Sequence, residues 1–482
     1  MGVLANSNAI ESGGYTIDNS LRFQSASSTY LARTPASAGN RKTWTLSCWA
    51  KRGTLSADGW ILGSDTTAAE YTGLVFNGTT NALQMNVVTA STNRIVVATQ
   101  AVFRDPSAWY HIVLAVDTTQ ATNSNGVKIY VNGVQQTLTF TTYTQNVDTA
   151  VNNTVVQELG RVIGLQYFDG YMTEVNFIDG QALTPSAFGE TNTDTGQWIA
   201  KKYTGTYGTN GFYLPFNDGT STTTLGYDSS GNGNNWTLNN FTRSAGVNDC
   251  WMVDVPSGNG GVSGTQPSSN YATLNPLVKA SGTTTFSQAN LKVTNAAGWV
   301  ITLSTIALPL SGKFYWEAIA GGSDLMFGIY NPAQNTSASN PFIHTGGAIA
   351  YYGANGTKYI NGANTAYGAT YTTNDIIGVA VDIDASTVTF YKNNASQGAI
   401  SLPSNMIGVP ISASFLGASS QSSQANFGQR SFAYTPPTGF LALCTANLPA
   451  ATIKQGNQYM DATTYTGNAT ARSITNAGSF QP

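Results

Sequence analysis

The feature that most constrains this chain is the period of its apolar residues, which is two far more often than 3.6. Short runs of branched and aromatic residues alternate with polar ones, and Gly, Asn, Asp and Pro separate them. Apolar spacing at the helical period does not persist beyond two turns. The best short helical candidate is residues 184–188, with Thr184 as cap and Pro185 at the first helical position. A chain of 482 residues with 41% hydrophobic and 11% aromatic residues has the material for two or more cores. The texture is that of an all-β protein built from sandwiches.

One hairpin is written twice. Residues 111–133 read HIVLAVDTTQATNSNGVKIYVNG, and residues 376–394 read IIGVAVDIDASTVTFYKNN. Each has an apolar strand that stops at an aspartate, Asp117 or Asp382, and a half-polar return strand. The first strand is apolar on both alternating faces, which suits an interior position with cover on both sides. Asn132-Gly133 favours a tight primed turn, because both positions tolerate positive φ. Each half of the chain is thus expected to hold one long hairpin in the middle of a sandwich.

Charged residues make up only 9% of the chain, against about 25% in an average soluble protein, and the formal net charge is -3. With so few charges, the surface depends on Ser, Thr, Asn, Gln and Gly, and is insensitive to salt. No Lys or Arg run exceeds a pair, which argues against a nucleic-acid partner. No apolar stretch approaches the ~20 residues that span a bilayer, so membrane insertion is not expected. The N-terminal text lacks the basic and apolar segments of a secretory signal. The three cysteines, Cys48, Cys250 and Cys444, are far apart and have no metal-ligand spacing, so buried free thiols are expected.

Two family resemblances emerge from ordered sets of segments. Residues 20–195 resemble a LamG, or concanavalin A-like, jelly-roll domain through LRF at 21–23 with YL at 30–31, WTLSCWAKR at 44–52, the Trp109/His111 strand, YVNG at 130–133 and GYMTEVNF at 170–177. Residues 266–443 resemble a SPRY domain through GKFYWE at 312–317, FGI at 327–329, DIIGVAVD at 375–382, VTFYKN at 388–393 and ANFG at 425–428. Both resemblances imply a concanavalin-like sandwich of two sheets. The expected organisation is an N-terminal arm (1–19), a LamG-like sandwich (20–195), a β-rich connector (196–265), a SPRY-like sandwich (266–443) and a C-terminal tail (444–482). That order, with text such as ETNTDTGQWI at 190–199, resembles virion structural proteins of tailed bacteriophages. The resemblance implies a tail fibre, appendage or surface decoration, assembled in the host cytoplasm and exposed on the virion. Implied partners are other virion subunits and host-surface glycans. A homotrimer is a common state of phage fibres, although no heptad or fibre repeat is present.

A concanavalin-like fold can also carry a polysaccharide depolymerase, which needs two carboxylates flanking a sugar. Glu174 and Asp179 are five residues apart, so a continuous strand would place them on opposite faces. No catalytic residue is assigned, and a non-enzymatic protein is expected. His111, in an apolar strand, is expected to be hydrogen-bonded in the core, and His344 to lie in a loop. LamG-like domains often hold Ca²⁺ on a rim loop; Asp65, Asp117 and Asp169 are the candidates, with a role as turn residues the alternative. Sugars bind to aromatic faces flanked by amides and hydroxyls. The segment with Tyr351, Tyr352, Asn355, Tyr359, Tyr367 and Tyr371 has that composition and is the ligand-binding candidate; packing of the sheet is the competing role.

Overall fold

Alternation along the strands becomes alternation across four large sheets and one two-stranded ribbon in the computed structural model. It describes residues 15–164, 166–244, 246, 248–256, 266–279, 284–334 and 346–449. Two sheets form the first sandwich. One runs in the order Val134–Gln135, Val127–Val131, Trp109–Asp117, Thr43–Arg52, Gly170–Asp179, Ser20–Phe23, Trp251–Met252, with Phe212–Leu214 also on Gly170–Asp179. Its partner runs from Leu138–Tyr143 through Thr92–Thr99, Leu83–Thr89, Glu70–Phe76, Gly59–Thr67, Val156–Leu159 and Tyr30–Arg33 to Thr237–Asn239. Between them lies one apolar core that includes Trp44, Leu46, Ile112, Leu114, Met172 and Phe177. The second sandwich has its own core around Trp316, Phe327, Val379, Phe390 and Phe415. The protein is nearly all-β, a pair of concanavalin-like sandwiches.

The repeated hairpin takes the same place in both. Trp109–Asp117 is an interior strand between Val127–Val131 and Thr43–Arg52. Its Ile112, Leu114 and Val116 face the core, while Val113 and Ala115 pack under Phe188, Leu183 and Tyr203 on the outer face. That outer cover explains why both alternating faces are apolar. Ile376–Asp382 lies likewise between Lys313–Ala320 and Thr387–Lys392. Both return strands end in a primed turn: φ is 49° at Asn132 and 79° at Gly133, and 46° and 72° at Asn393 and Asn394. The short helical candidate is a 3-10 turn over Pro185–Ala187; Thr184 makes no side-chain cap and meets the Ser186 hydroxyl instead.

The segment after residue 195 extends the first sandwich. Phe212–Leu214 pairs with Gly170–Asp179, Thr237–Asn239 with Tyr30–Arg33, and Trp251–Met252 with Ser20–Phe23. The sandwiches meet at a buried polar seam. Lys51 Nζ donates to Asp254 Oδ2 (2.9 Å), Asn270 Oδ1 (2.8 Å) and the Tyr271 carbonyl (2.8 Å), with both charged side chains fully buried. Three acceptors match the three protons of an ammonium. Asn290 Nδ2 donates to the Gly53 carbonyl, and the Ala289 N–H to Asp169.

Candidate functional site

The strand Ala348–Tyr352 alternates, so adjacent tyrosines point to opposite faces. Tyr351 is wholly buried, packs on Tyr371 and Phe390, and gives its hydroxyl proton to the Ala369 carbonyl. Tyr371 is equally interior, its hydroxyl seated between the carbonyls of Leu325 and Tyr351. The expectation that these two present ring faces to a ligand is therefore corrected: they are core pillars whose hydroxyls satisfy buried backbone. Asn355 sits in an exposed turn, where its Oδ1 accepts from the Thr357 N–H and hydroxyl. Tyr367 is half-buried, edge-on to Tyr351 and Phe390, with Lys358 Nζ 5.2 Å from its ring centre. Only Tyr352 and Tyr359 share the outer face, with ring centres 6.3 Å apart. Trp299, which sequence reading passed over, joins them 5.9 Å from Tyr352. The Tyr352 hydroxyl donates to Asp324.

A stronger concentration of aromatic rings lies at the seam. In Thr43–Arg52 the core takes Cys48 and Ala50, so Trp49 faces outward, directly opposite His111 in the register. The Trp198 ring lies near-parallel to His111 at its Nδ1 edge, with centres 6.0 Å apart, against 4.9 Å for Trp49. An indole N–H can only donate. Trp198 Nε1 donates to His111 Nδ1 (2.9 Å), so the imidazole proton sits on Nε2, 2.9 Å from Ser47 Oγ. Burial pulls the His111 pKa down to about 3, keeping the ring neutral. Trp109 Nε1 donates to Asp254, the acid of the buried ion pair, which fixes that ring.

These three indoles open onto a cleft of about 280 Å³. Asn132, Gln197 and Asp105 reach it from the first sandwich, and Asn270, Ile306 and Thr445 come from the second side of the seam. Asp105 holds Ser107 through both its N–H and its hydroxyl. The result is an aromatic floor with amide and hydroxyl groups around it. Sequence reading quoted Trp49, Trp109 and Trp198 but did not join them. Parity shows that Trp49 leaves the core, yet only the cross-strand register places it opposite His111.

The carboxylates are separated. Glu174 falls in a β-bulge between Thr173 and Asn176, at φ 54°, and accepts from the Tyr15 and Tyr213 hydroxyls at 2.6 and 2.7 Å. Burial pushes its pKa up to about 7. Asp179 instead holds the Asn40 N–H and Asn152 Nδ2. Glu317 is tied to the Ala433 and Tyr434 N–H groups, each at 2.9 Å. Asp65 accepts from the Ile163 N–H, Asp117 from Thr119, Gln120 and Thr43, and Asp169 from Ser25 and Ala289. Among the described residues no three His, Cys, Asp or Glu side chains gather as a metal site. The three cysteines are free and buried, and burial raises each thiol pKa to about 12. His344 lies outside the described residues. No described helix is long and apolar enough to cross a membrane.

Residues 25–187 match the family model of the concanavalin A-like lectin/glucanases superfamily (Laminin G type), and residues 313–430 match the SPRY domain model. The chain carries a LamG domain followed by a SPRY domain. Trp49, Trp109 and His111 thus belong to the LamG domain, while Trp198 comes from beyond its matched span. Tyr352 and Tyr359 lie in the SPRY domain, and Arg430 is its last matched residue. Among curated proteins, the chain is 28% identical over 149 residues to the ATP-dependent RNA helicase Ddx1 of Drosophila melanogaster, covering 31% of this chain and 20% of that one. It is 30% identical over 136 residues to DDX1 of Xenopus laevis, covering 28% and 18%. The chain thus spans a fifth or less of the length of these relatives. Solved structures that align include the SPRY domain of human HERC1 (16% identity, 32% of this chain and 96% of that one, TM-score 0.28). The TRIM65 PSpry domain also aligns (13% identity, 32% and 89%, TM-score 0.27).

Proposed function

We propose that this protein is a structural and binding component of a phage virion, a tail fibre, appendage or surface decoration that takes up host-surface glycans at the LamG–SPRY seam. The observation that carries the binding half is the cleft in which Trp49, Trp109 and Trp198 meet the amides of Asn132, Gln197 and Asn270. Sugar rings present apolar C–H faces and a rim of hydroxyls. Indole faces match the first and planar amides the second. The volume, near the low end of the roughly 300–1,000 Å³ of ligand clefts, suits a terminal sugar rather than a long chain. Fixed indole N–H bonds to His111 and Asp254 preorganise two of the rings, which limits the ordering cost of binding. The virion half rests on the resemblance of domain order and connecting text, supported by a neutral surface with few charges.

A glycan array probed with the full chain tests the binding half. Binding to a defined set of terminal sugars, lost in Trp198→Ala, is the expected result. An array without hits, with the protein found in purified particles, would leave decoration without a host ligand. Release of reducing ends from host polysaccharide would replace the reading with a depolymerase. Immunogold labelling of intact particles tests the virion half, and unlabelled particles would contradict it.

A further inference from the structure

A second concavity opens along the seam and shares no residue with the tryptophan cleft. It has a volume of about 560 Å³ and is lined by Thr220, Arg243, Asp249, Trp251, Gln266 and Arg430, among others. A shallower groove continues from it past Thr220 and Trp251 to Asn217 and Asp218.

Its charge is unbalanced. Arg430 is only 5% exposed. Its Nη2 donates to the Ala425 carbonyl at 3.1 Å, whereas its buried Nη1 has no partner. Among the described residues no carboxylate lies within 4 Å of it; the seven ion pairs there all involve other cations. Arg22, fully buried, adds its positive field to that of Arg430 and gives Nη2 to the Asp249 carbonyl. The Asp249 carboxylate is taken by Arg243, which lies over the Trp251 ring at 4.9 Å. Glu317, the other acid that Arg430 feels, is tied to two backbone N–H groups. Two guanidiniums, Arg243 and Arg430, therefore line a concavity whose one lining carboxylate is already neutralised. Yet the chain as a whole is net negative. An unpaired buried cation is unfavourable by several kcal/mol, and proteins ordinarily pair such groups. Burial accordingly lowers the Arg430 pKa to about 9.

We propose that this concavity is a binding site for an oxyanion, with the Arg430 guanidinium as its base and Arg243 as its gate. A guanidinium offers parallel N–H donors that match carboxylate, sulfate and phosphate oxygens. The inference stands apart from the glycan reading of the tryptophan cleft, and neither depends on the other. The Arg243–Asp249 pair sets the sign of the test. Removing Arg243 releases the Asp249 charge into the site, while removing the Asp249 charge leaves Arg243 free to join the ligand.

The experiment is thermal unfolding of the full chain titrated with sulfate, inorganic phosphate or glucuronate, at ionic strength held constant with chloride. The expected result is a saturable rise in Tm with at least one of the three. Arg243→Gln should weaken the apparent affinity at least fivefold, and Asp249→Asn should leave it equal or tighter. Arg430→Met should abolish the saturable rise. If Arg430→Met does not fold, the opposed pair Arg243→Gln and Asp249→Asn decides alone. A response to glucuronate alone assigns the site to a sugar acid; a response to sulfate or phosphate assigns it to an inorganic or ester oxyanion. Sulfate raises Tm without saturation by exclusion from protein surfaces. A rise of that kind, identical in all variants, or no rise beyond chloride, overturns the proposal.

Discussion

His111 and Glu174 show how far burial moves an ionisable group in this protein. The His111 pKa lies well below its ordinary value, so its neutral form favours folding above about 6.5, and that contribution is lost as pH falls toward about 3. The imidazole should show no protonation between pH 5 and 8 in an NMR titration of the folded chain. A midpoint near 6.5 would contradict the burial of His111 between Trp49 and the Trp198 N–H donor. Glu174 runs the other way. Its pKa is raised, so its contribution to stability is full below about 4.5 and is lost as pH rises through about 7. Tyr15, Tyr213, Tyr207, Lys202 and Asp18 are the groups that influence it. Relative to Glu174→Gln, the wild type should lose Tm between pH 5 and 8, as read by circular dichroism; parallel curves would refute this. That His111 is buried and hydrogen-bonded was legible in the sequence, because it interrupts an apolar strand; that it lies on the outer face with Trp49, and not in the core, was not. The Glu174 environment was not, because a bulge at φ 54° breaks the parity on which reading a strand depends.

At the scale of elements, hairpin, turn and sandwich were readable from alternation, and the tyrosine site was not. Tyr351 and Tyr352 are neighbours in sequence and on opposite faces in the sheet, so composition alone merged a core residue with a surface one. The primed turns carry a prediction of their own. A Cβ on Gly133 would lie 2.4 Å from the Trp198 ring, at a φ that L-residues rarely adopt. Gly133→Ala should therefore cost about 1–3 kcal/mol in urea unfolding and displace Trp198. Asn394→Gly, at φ 72° and exposed, should be neutral or mildly stabilising. Equal effects at the two turns would show that the Trp198 contact is not what makes Gly133 necessary.

Across the whole molecule, two apolar cores are joined by polar chemistry. The Lys51–Asp254 pair has all three ammonium protons accepted and no exposure. Removing one partner of such a pair strands the other charge. Lys51→Met should destabilise by about 3–5 kcal/mol, and Lys51→Met with Asp254→Asn should recover most of the loss while keeping an acceptor for Trp109. Denaturant unfolding followed by tryptophan emission checks both. This seam was invisible in sequence, since Lys51 reads as an ordinary strand residue until Asp254 and Asn270, some two hundred positions away, close over it.

The proposed glycan site is the seam cleft lined by Trp49, Trp109 and Trp198. The nine tryptophans allow that to be measured directly, by fluorine NMR of the chain labelled with 5-fluorotryptophan and titrated with a sugar identified on the array. Glycan binding in the proposed cleft should shift Trp49, Trp109 and Trp198, assigned by single Phe substitutions, and leave the core residues Trp44 and Trp316 unmoved. Shifts confined to Trp299 on the SPRY outer face, with the three seam signals unchanged at saturation, would contradict it.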